Sequence, residues 1–265
     1  MKKLRLFSIS MLKWILLSLF ILILFSGCGP GFQHFGEFSI QDIENGCKKV
    51  TDGLGRTLVL VPKGQNAPDG YEKNQIIKIP VKKAVVYLNA DVALLKALGV
   101  VDSVAGVTQE KEDWTIPEIK AGMETGKVVY LGEYSSIDFE RLKVLDPDIV
   151  FAWDESAIPM LTELDIPCVI TTTKIAKDLK TRMYFIKFLA SFYGKEKEAD
   201  LFIARVSKTI ESVAKKTAGV KIKPKVIWGD IYEKRVLVEP INSGAAEMIL
   251  LAGGEYLFDD VKGAA

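Results

Sequence analysis

The stretch from Ile175 to Ala218 constrains the fold of this chain more than any other. It contains no proline, and its one glycine, Gly194, separates two apolar stripes. The first stripe runs Ile175, Leu179, Met183, Ile186, Ala190; the second runs Ala199, Ile203, Val206, Ile210, Val213. Steps of three and four residues place each stripe on one face of a helix. Each half holds roughly 20 residues, enough for a helix about 30 Å long. Short apolar, strand-like runs lie on both sides. The spacing therefore predicts a rigid helical rod over 175–218 that joins two α/β lobes; a pair of core helices inside one domain is the alternative.

The flanks favour two lobes. Residues 48–61 read as a hairpin turning at Asp52-Gly53 or near Gly55. Strands are then predicted at Ala84–Leu88, Val104–Val107, Val128–Leu131, Asp148–Phe151 and Cys168–Thr171. Helices alternate with them at Ala93–Leu98, at Asp138–Leu145 with Asp138 as N-terminal cap, and at Ile158–Leu164. Short apolar strands alternating with helices argue for a mostly parallel sheet covered on both faces. Residues 48–174 form this first lobe. Beyond the rod, residues 219–265 hold a strand at Lys225–Trp228, a hairpin around Val236–Val238, and a helix at Ser243–Ala252 closed by Gly253-Gly254. That is too little to cover both faces of a sheet, so the second lobe is expected to be incomplete.

The amino terminus reads as a targeting segment. Lys2, Lys3, Arg5 and Lys13 precede an apolar run, Trp14–Phe25, broken only by Ser18 and followed by Ser26-Gly27-Cys28. The run is too short to span a bilayer comfortably and suits a signal peptide. Small residues before a cysteine resemble a lipoprotein processing site, which makes residues 1–27 the signal peptide and Cys28 the lipidated residue. A plain cleaved signal or a short anchor is the alternative. Residues 28–47 are Gly-rich without clear periodicity and read as a tether from lipid to domain. The chain is thus expected outside the cytoplasm, held on the membrane face by lipid. Cys47 and Cys168 are the remaining cysteines. A disulfide is permitted there, but the apolar setting of Cys168 favours a buried free thiol.

Charge excludes one class of partner. Apart from the four basic residues of the first 13, 31 basic residues face 34 acidic ones, so no nucleic-acid surface is expected. The single histidine, His34, falls in the tether, which leaves the folded region without a Ser-His-Asp or Cys-His arrangement or a His/Cys zinc site. No P-loop is present. An enzyme is not expected, and neither a cofactor nor a resident metal.

Several segments occur in an order that resembles a known family. They are VTDGLGRT, VVYLNADVALLKALGVVDSVAGV, YSSIDFERLKVLDPDIVFAW, FLASFYGKEKEADLF and NSGAAEMILLAGGEYLF, preceded by the lipoprotein start. Together they look like the substrate-binding lipoproteins of ABC importers for metal chelates, the group that takes up ferric siderophores, haem and vitamin B12. The resemblance implies two α/β lobes joined by a long helix, a ligand in the cleft between them, and an ABC permease with its ATPase as partners. Members of that family continue beyond the GGEYLF segment, which again makes the second lobe short.

A cleft for a large chelate needs aromatic walls and a few polar anchors. In α/β lobes these come from the loops that follow the strands. The candidates are Asn89, Tyr134, Trp153, Asp154 and Thr173 on the first lobe and Trp228 and Tyr232 on the second. The resemblance places Tyr134, Trp153 and Trp228 where vitamin B12-binding relatives carry pocket aromatics; core packing is the alternative for each. No arginine sits in these loops, which leans toward a corrinoid or near-neutral chelate. Free ferric iron held by Tyr134 and Tyr232 is a second possibility, and an interaction lipoprotein without ligand a third. The family also implies an acidic residue on each lobe for permease docking. Glu140 matches on the first lobe, unless it simply pairs with Lys143. On the second, Glu247 is the candidate, with Glu255 nearby.

Overall fold

The computed structural model describes residues 31–172 and 178–263. The signal peptide, Cys28, Thr173 and Lys174 lie outside the described residues.

Two five-stranded sheets make up the first lobe. One is formed by β1 (Phe32–Phe35), β2 (Phe38–Asp42), β3 (Lys48–Thr51), β4 (Thr57–Pro62) and β5 (Ile76–Ile79), in that order. Its first four strands are antiparallel neighbours, and β5 runs parallel to β4. The expected tether is thus corrected. Residues 32–42 are two paired strands, because Phe38 and Ile40 alternate with polar Ser39 and Gln41 and bury their side chains. His34 sits exposed on the edge strand rather than in a linker. The hairpin predicted at 48–61 is present as β3 and β4.

The second sheet is the predicted parallel one. It contains β6 (Ala84–Val86), β7 (Val104–Val107), β8 (Val129–Tyr130), β9 (Ile149–Ala152) and β10 (Cys168–Ile170), in the order β10-β9-β6-β7-β8. Every pairing is parallel. The chain starts in the middle strand, moves to one edge and then returns to the other. β6 therefore flanks the point where the winding reverses, and in sheets of this kind ligands commonly bind at the carboxyl ends of the strands there. Four helices connect these strands: α1 (Asn89–Ala97), α2 (Pro117–Glu124), α3 (Phe139–Leu145) and α4 (Ile158–Glu163). As expected, the Asp138 side chain caps α3, accepting from Arg141 N at 2.9 Å.

The 175–218 stretch is two helices, α5 (Leu179–Ser191) and α6 (Glu196–Thr217). Gly194, at φ +64, turns the chain between them. The pair folds back on itself rather than extending as one rod. Lys187 Nζ meets Asp200 at 2.7 Å, and Ser207 Oγ lies 3.8 Å from the Met183 sulfur. α5 belongs to the first lobe. Its Phe185 and Phe188 pack on Phe38 at 4.7 and 4.9 Å between ring centres, and Phe188 and Phe151 both meet Phe192 at 5.3 Å. These rings tie the two sheets into one core. Linking the lobes is left to α6, whose 22 residues span about 33 Å. Its first turns bury Ala199 and Ile203 in the first lobe. At its far end Thr217 Oγ1 donates to Leu251 O at 2.8 Å.

Leu251 ends α7 (Gly244–Leu251), the helix of the second lobe. Ser243 caps it, and Gly253 (φ +84) provides the predicted stop. The strands here are short: β11 (Lys225–Val226) beside β14 (Glu255–Tyr256), and the exposed hairpin β12 (Gly229–Tyr232) with β13 (Arg235–Val238).

The turn between β3 and β4 clasps the parallel sheet. Asp52, fully buried, accepts from Leu54 N, Arg56 N and Ile170 N at 3.0–3.1 Å, and from Arg56 Nε and Nη2 at 3.0 and 2.6 Å. Gly53 N donates to Ile170 O at 3.0 Å, and Arg56 Nη2 reaches Cys168 O at 2.8 Å. The Cys168 thiol is free and buried, as the sequence led us to expect. Burial pushes it from 9.0 up to about 12, against the pull of Arg56. Below pH 9 the thiol is protonated in both states. Above it the unfolded chain ionises while the native one does not, so this contribution to stability falls as pH rises toward 12. Urea unfolding at about pH 8 and about pH 10 should show a loss of stability that Cys168→Ala reduces by about 1 kcal/mol.

Candidate functional site

Three loops at the carboxyl edge of the parallel sheet build the site. After β8, Leu131 N continues the ladder to Val107 O, and the chain then turns sharply. Gly132 makes the turn possible: its φ is +90, and a β-carbon there would lie 2.6 Å from Ser136 O. Ser136 N donates to Glu133 O at 2.8 Å, closing a turn that carries Tyr134 outward. After β9 comes Trp153. Its carbonyl accepts from Thr172 Oγ1 in the loop after β10, so two adjacent strand ends fix its backbone. Asp154 follows and folds its loop inward, with Oδ1 accepting from Ser156 N at 2.8 Å and from Ser156 Oγ at 2.5 Å.

Tyr134 and Trp153 meet edge-to-face, with ring centres 4.9 Å apart and planes at 77°. They are 48% and 39% exposed. A core ring at a strand end would be covered, whereas these rings form a half-open aromatic wall. Neither ring is buried in the core.

Several buried polar groups lie at the ends of the neighbouring strands. Thr171 Oγ1 donates to the buried Asp91 at 2.6 Å, and Thr108 Oγ1 donates to Tyr87 O at 2.9 Å. The Tyr87 side chain is 4% exposed, and its hydroxyl is buried without a hydrogen-bond partner among the described residues. Burial raises its pKa above the ordinary phenol value, with further contributions from Cys168 and Asp154. A buried donor without an acceptor costs free energy until something accepts from it. Tyr87 precedes the loop residues expected from the sequence, which begin after Leu88. A polar-tipped ring closing an apolar strand at the sheet's winding reversal was the available signal.

The other predicted residues are placed as follows. Asn89 is the exposed first residue of α1, four residues ahead of the predicted start of that helix. Trp228 and Tyr232 are 58% and 62% exposed on the second lobe, and among the described residues neither ring contacts Tyr134 or Trp153. Tyr232 belongs to the β12–β13 hairpin, on a different lobe from Tyr134. Glu140 is exposed on α3, and among the described residues it forms no ion pair with Lys143. Glu247 is half-buried, and its Oε2 accepts from Leu179 N at 2.6 Å. It thus serves the amino end of α5, where a carboxylate suits the helix dipole, while Glu255 is exposed.

Comparison with known proteins agrees with this architecture. Residues 85–263 match a family model described as periplasmic binding protein. A lipoprotein of Methanocaldococcus jannaschii is 25% identical over 231 residues, covering 82% of this chain and 56% of its own length. The chain thus spans about half the length of the curated relatives it matches. Among solved structures, the petrobactin-binding protein YclQ of Bacillus subtilis superposes with a TM-score of 0.60 at 18% identity, over 82% of this chain and 69% of that one. The periplasmic vitamin B12 binding protein BtuF of Vibrio cholerae gives 0.51 at 15% identity, over 70% and 69%. At such identities the likeness is one of fold.

Proposed function

Because this chain belongs to the periplasmic binding protein family, we propose that it is the extracytoplasmic receptor of an ABC importer. It captures a metal chelate of the ferric-siderophore or corrinoid kind between its lobes and hands it to a permease. It is a binding protein, not an enzyme. The observation that carries the chelate reading is the half-open Tyr134–Trp153 wall at the carboxyl edge of the parallel sheet. Large, flat, apolar-faced ligands bind such walls by ring stacking, and a few polar anchors orient them. Asp154 and Tyr87 supply anchors. Thr173, next in sequence after Thr172, is a further anchor in this reading, and Trp228 and Tyr232 face the ligand from the second lobe. That a petrobactin-binding protein and a vitamin B12 binding protein share the fold supports the ligand class.

Two further assignments belong to the same proposal. Lipid on Cys28 holds the receptor at the membrane, in keeping with the lipoprotein relative. Glu140 docks onto the permease from the first lobe. On the second lobe the exposed Glu255 is better placed for docking than Glu247, whose carboxylate is engaged by Leu179.

The test is saturable quenching of tryptophan fluorescence by a panel of cyanocobalamin, haem, and ferric hydroxamate and catecholate complexes. One panel member is expected to bind in the micromolar range or tighter. A flat response to all of them from a folded protein would refute the chelate reading.

A further inference from the structure

The two lobes meet at a second place besides α6. There the amino end of α5, in the first lobe, faces the amino end of α7, in the second. Gly244 opens α7, and a β-carbon on it would lie 3.1 Å from Arg182 Cδ and 3.4 Å from Leu179 N. Leu179 in turn opens α5. Each helix carries its own cap: Asp178 Oδ1 accepts from Thr181 N at 2.6 Å, and Ser243 Oγ accepts from Ala246 N at 3.2 Å.

Helix amino ends carry partial positive charge, so two of them repel when they are apposed. Glu247, in the first turn of α7, answers that repulsion. Its Oε2 reaches across to accept from Leu179 N at 2.6 Å, so one carboxylate serves its own helix and the helix of the other lobe. The apolar neighbours do not lock this seam. Leu179, Met183, Ile210, Leu250 and Leu251 surround a hollow of about 520 Å³, and Leu250 remains 47% exposed. Close packing holds two elements at one angle because no space is left to move into; here space is left. The directional contact between α5 and α7 is the hydrogen bond from Leu179 to Glu247. The seam is also close in sequence to the candidate site. Thr172, whose hydroxyl holds the Trp153 carbonyl, precedes Leu179 by seven residues.

We propose that Glu247 is a positioning residue. It pins the second lobe to the first at one angle, and so sets the width of the cleft between Tyr134 and Trp153 on one side and Trp228 and Tyr232 on the other. The pinning needs no ligand; its effect on binding rests on the chelate-binding reading.

Double electron–electron resonance between nitroxides at Glu163→Cys and Glu255→Cys, exposed positions on the first and second lobes, tests it in the full chain. Cys28→Ser removes a competing thiol, and Cys47 and Cys168 are buried. The unliganded protein should give a single narrow distance distribution. Glu247→Ala should widen it. Glu247→Gln, which keeps an oxygen for Leu179 N without the charge, should widen it less. Met248→Ala, at an exposed position of the same helix, should leave it unchanged. Titration of the unlabelled proteins with cyanocobalamin, haem and a ferric tris-hydroxamate gives the second readout. A wider distribution leaves fewer molecules at the binding angle, so Glu247→Ala should weaken binding roughly tenfold. An unchanged distribution in Glu247→Ala overturns the inference and leaves the chelate reading standing. Equal widening by Met248→Ala overturns it too, since the packing of α7 at large would then set the angle. Widening confined to the Glu247 variants, with none of the three chelates bound by the parent protein, supports the pinning and refutes the chelate reading.

Discussion

Replacing Asp52 by Ala is expected to cost about 3–5 kcal/mol, enough to unfold much of the protein at 37 °C. The carboxylate is fully buried and accepts from three backbone amides and from two nitrogens of Arg56. Truncation strands all five donors at once and leaves the guanidinium, which also holds Cys168 O, without its counter-charge. Asp52→Asn should cost less, since its remaining carbonyl still accepts from amides. Gly53→Ala tests the same clasp sterically. Its β-carbon would lie 1.7 Å from Thr172 O, a backbone atom with little room to move. Thr172 is also the residue whose hydroxyl holds the Trp153 carbonyl. Gly53→Ala should therefore weaken ligand binding as well as lower the urea midpoint. A normal midpoint in both Asp52→Ala and Gly53→Ala would show that the two sheets are not coupled through this turn.

Much of this arrangement was legible because it rests on local pattern. The strands of the parallel sheet are apolar runs bounded by polar loops, and the caps Asp138 and Ser243 precede helical spacing. Where pattern and tertiary context diverge, the sequence reading went astray. Residues 32–42 carry Gly36 and several polar residues, and only the alternation of Phe38 and Ile40 betrays a strand. The helical periods of α5 and α6 are both real. Whether they extend or fold back depends on the positive φ at Gly194 and on Phe38 and Phe151 waiting to receive α5, which periodicity does not encode. The aromatic wall was legible because strand order places loop residues at one edge whatever the packing. The orphaned Tyr87 hydroxyl was not, since a missing partner is a property of the assembled core. Glu247 matched a docking position by order alone, and the contact with Leu179 N appears only once α7 packs beside α5.

The functional counterpart is Trp153→Ala, which should weaken chelate binding by about 2 kcal/mol, roughly 30-fold, with little change in stability. The two effects separate because of where the ring sits. At 39% exposure against Tyr134 it contributes modestly to the core, so the urea midpoint should move by no more than about 0.5 kcal/mol in free energy. In a ligand-filled crevice the same ring would be covered on both faces, and its truncation would remove a stacking surface and release Tyr134 from its edge-to-face register. Trp153→Phe keeps an aromatic face in that register and should recover part of the affinity. The control is Tyr87→Phe, which deletes a buried hydroxyl that has no partner among the described residues. It should stabilise the free protein slightly, and weaken binding only if the ligand or Asp154 accepts from that hydroxyl in the complex. Loss of affinity in Trp153→Ala alongside an unchanged midpoint would tie the wall to the ligand. A matching fall in both would mean the ring is core, and the site would have to be sought elsewhere on the sheet edge.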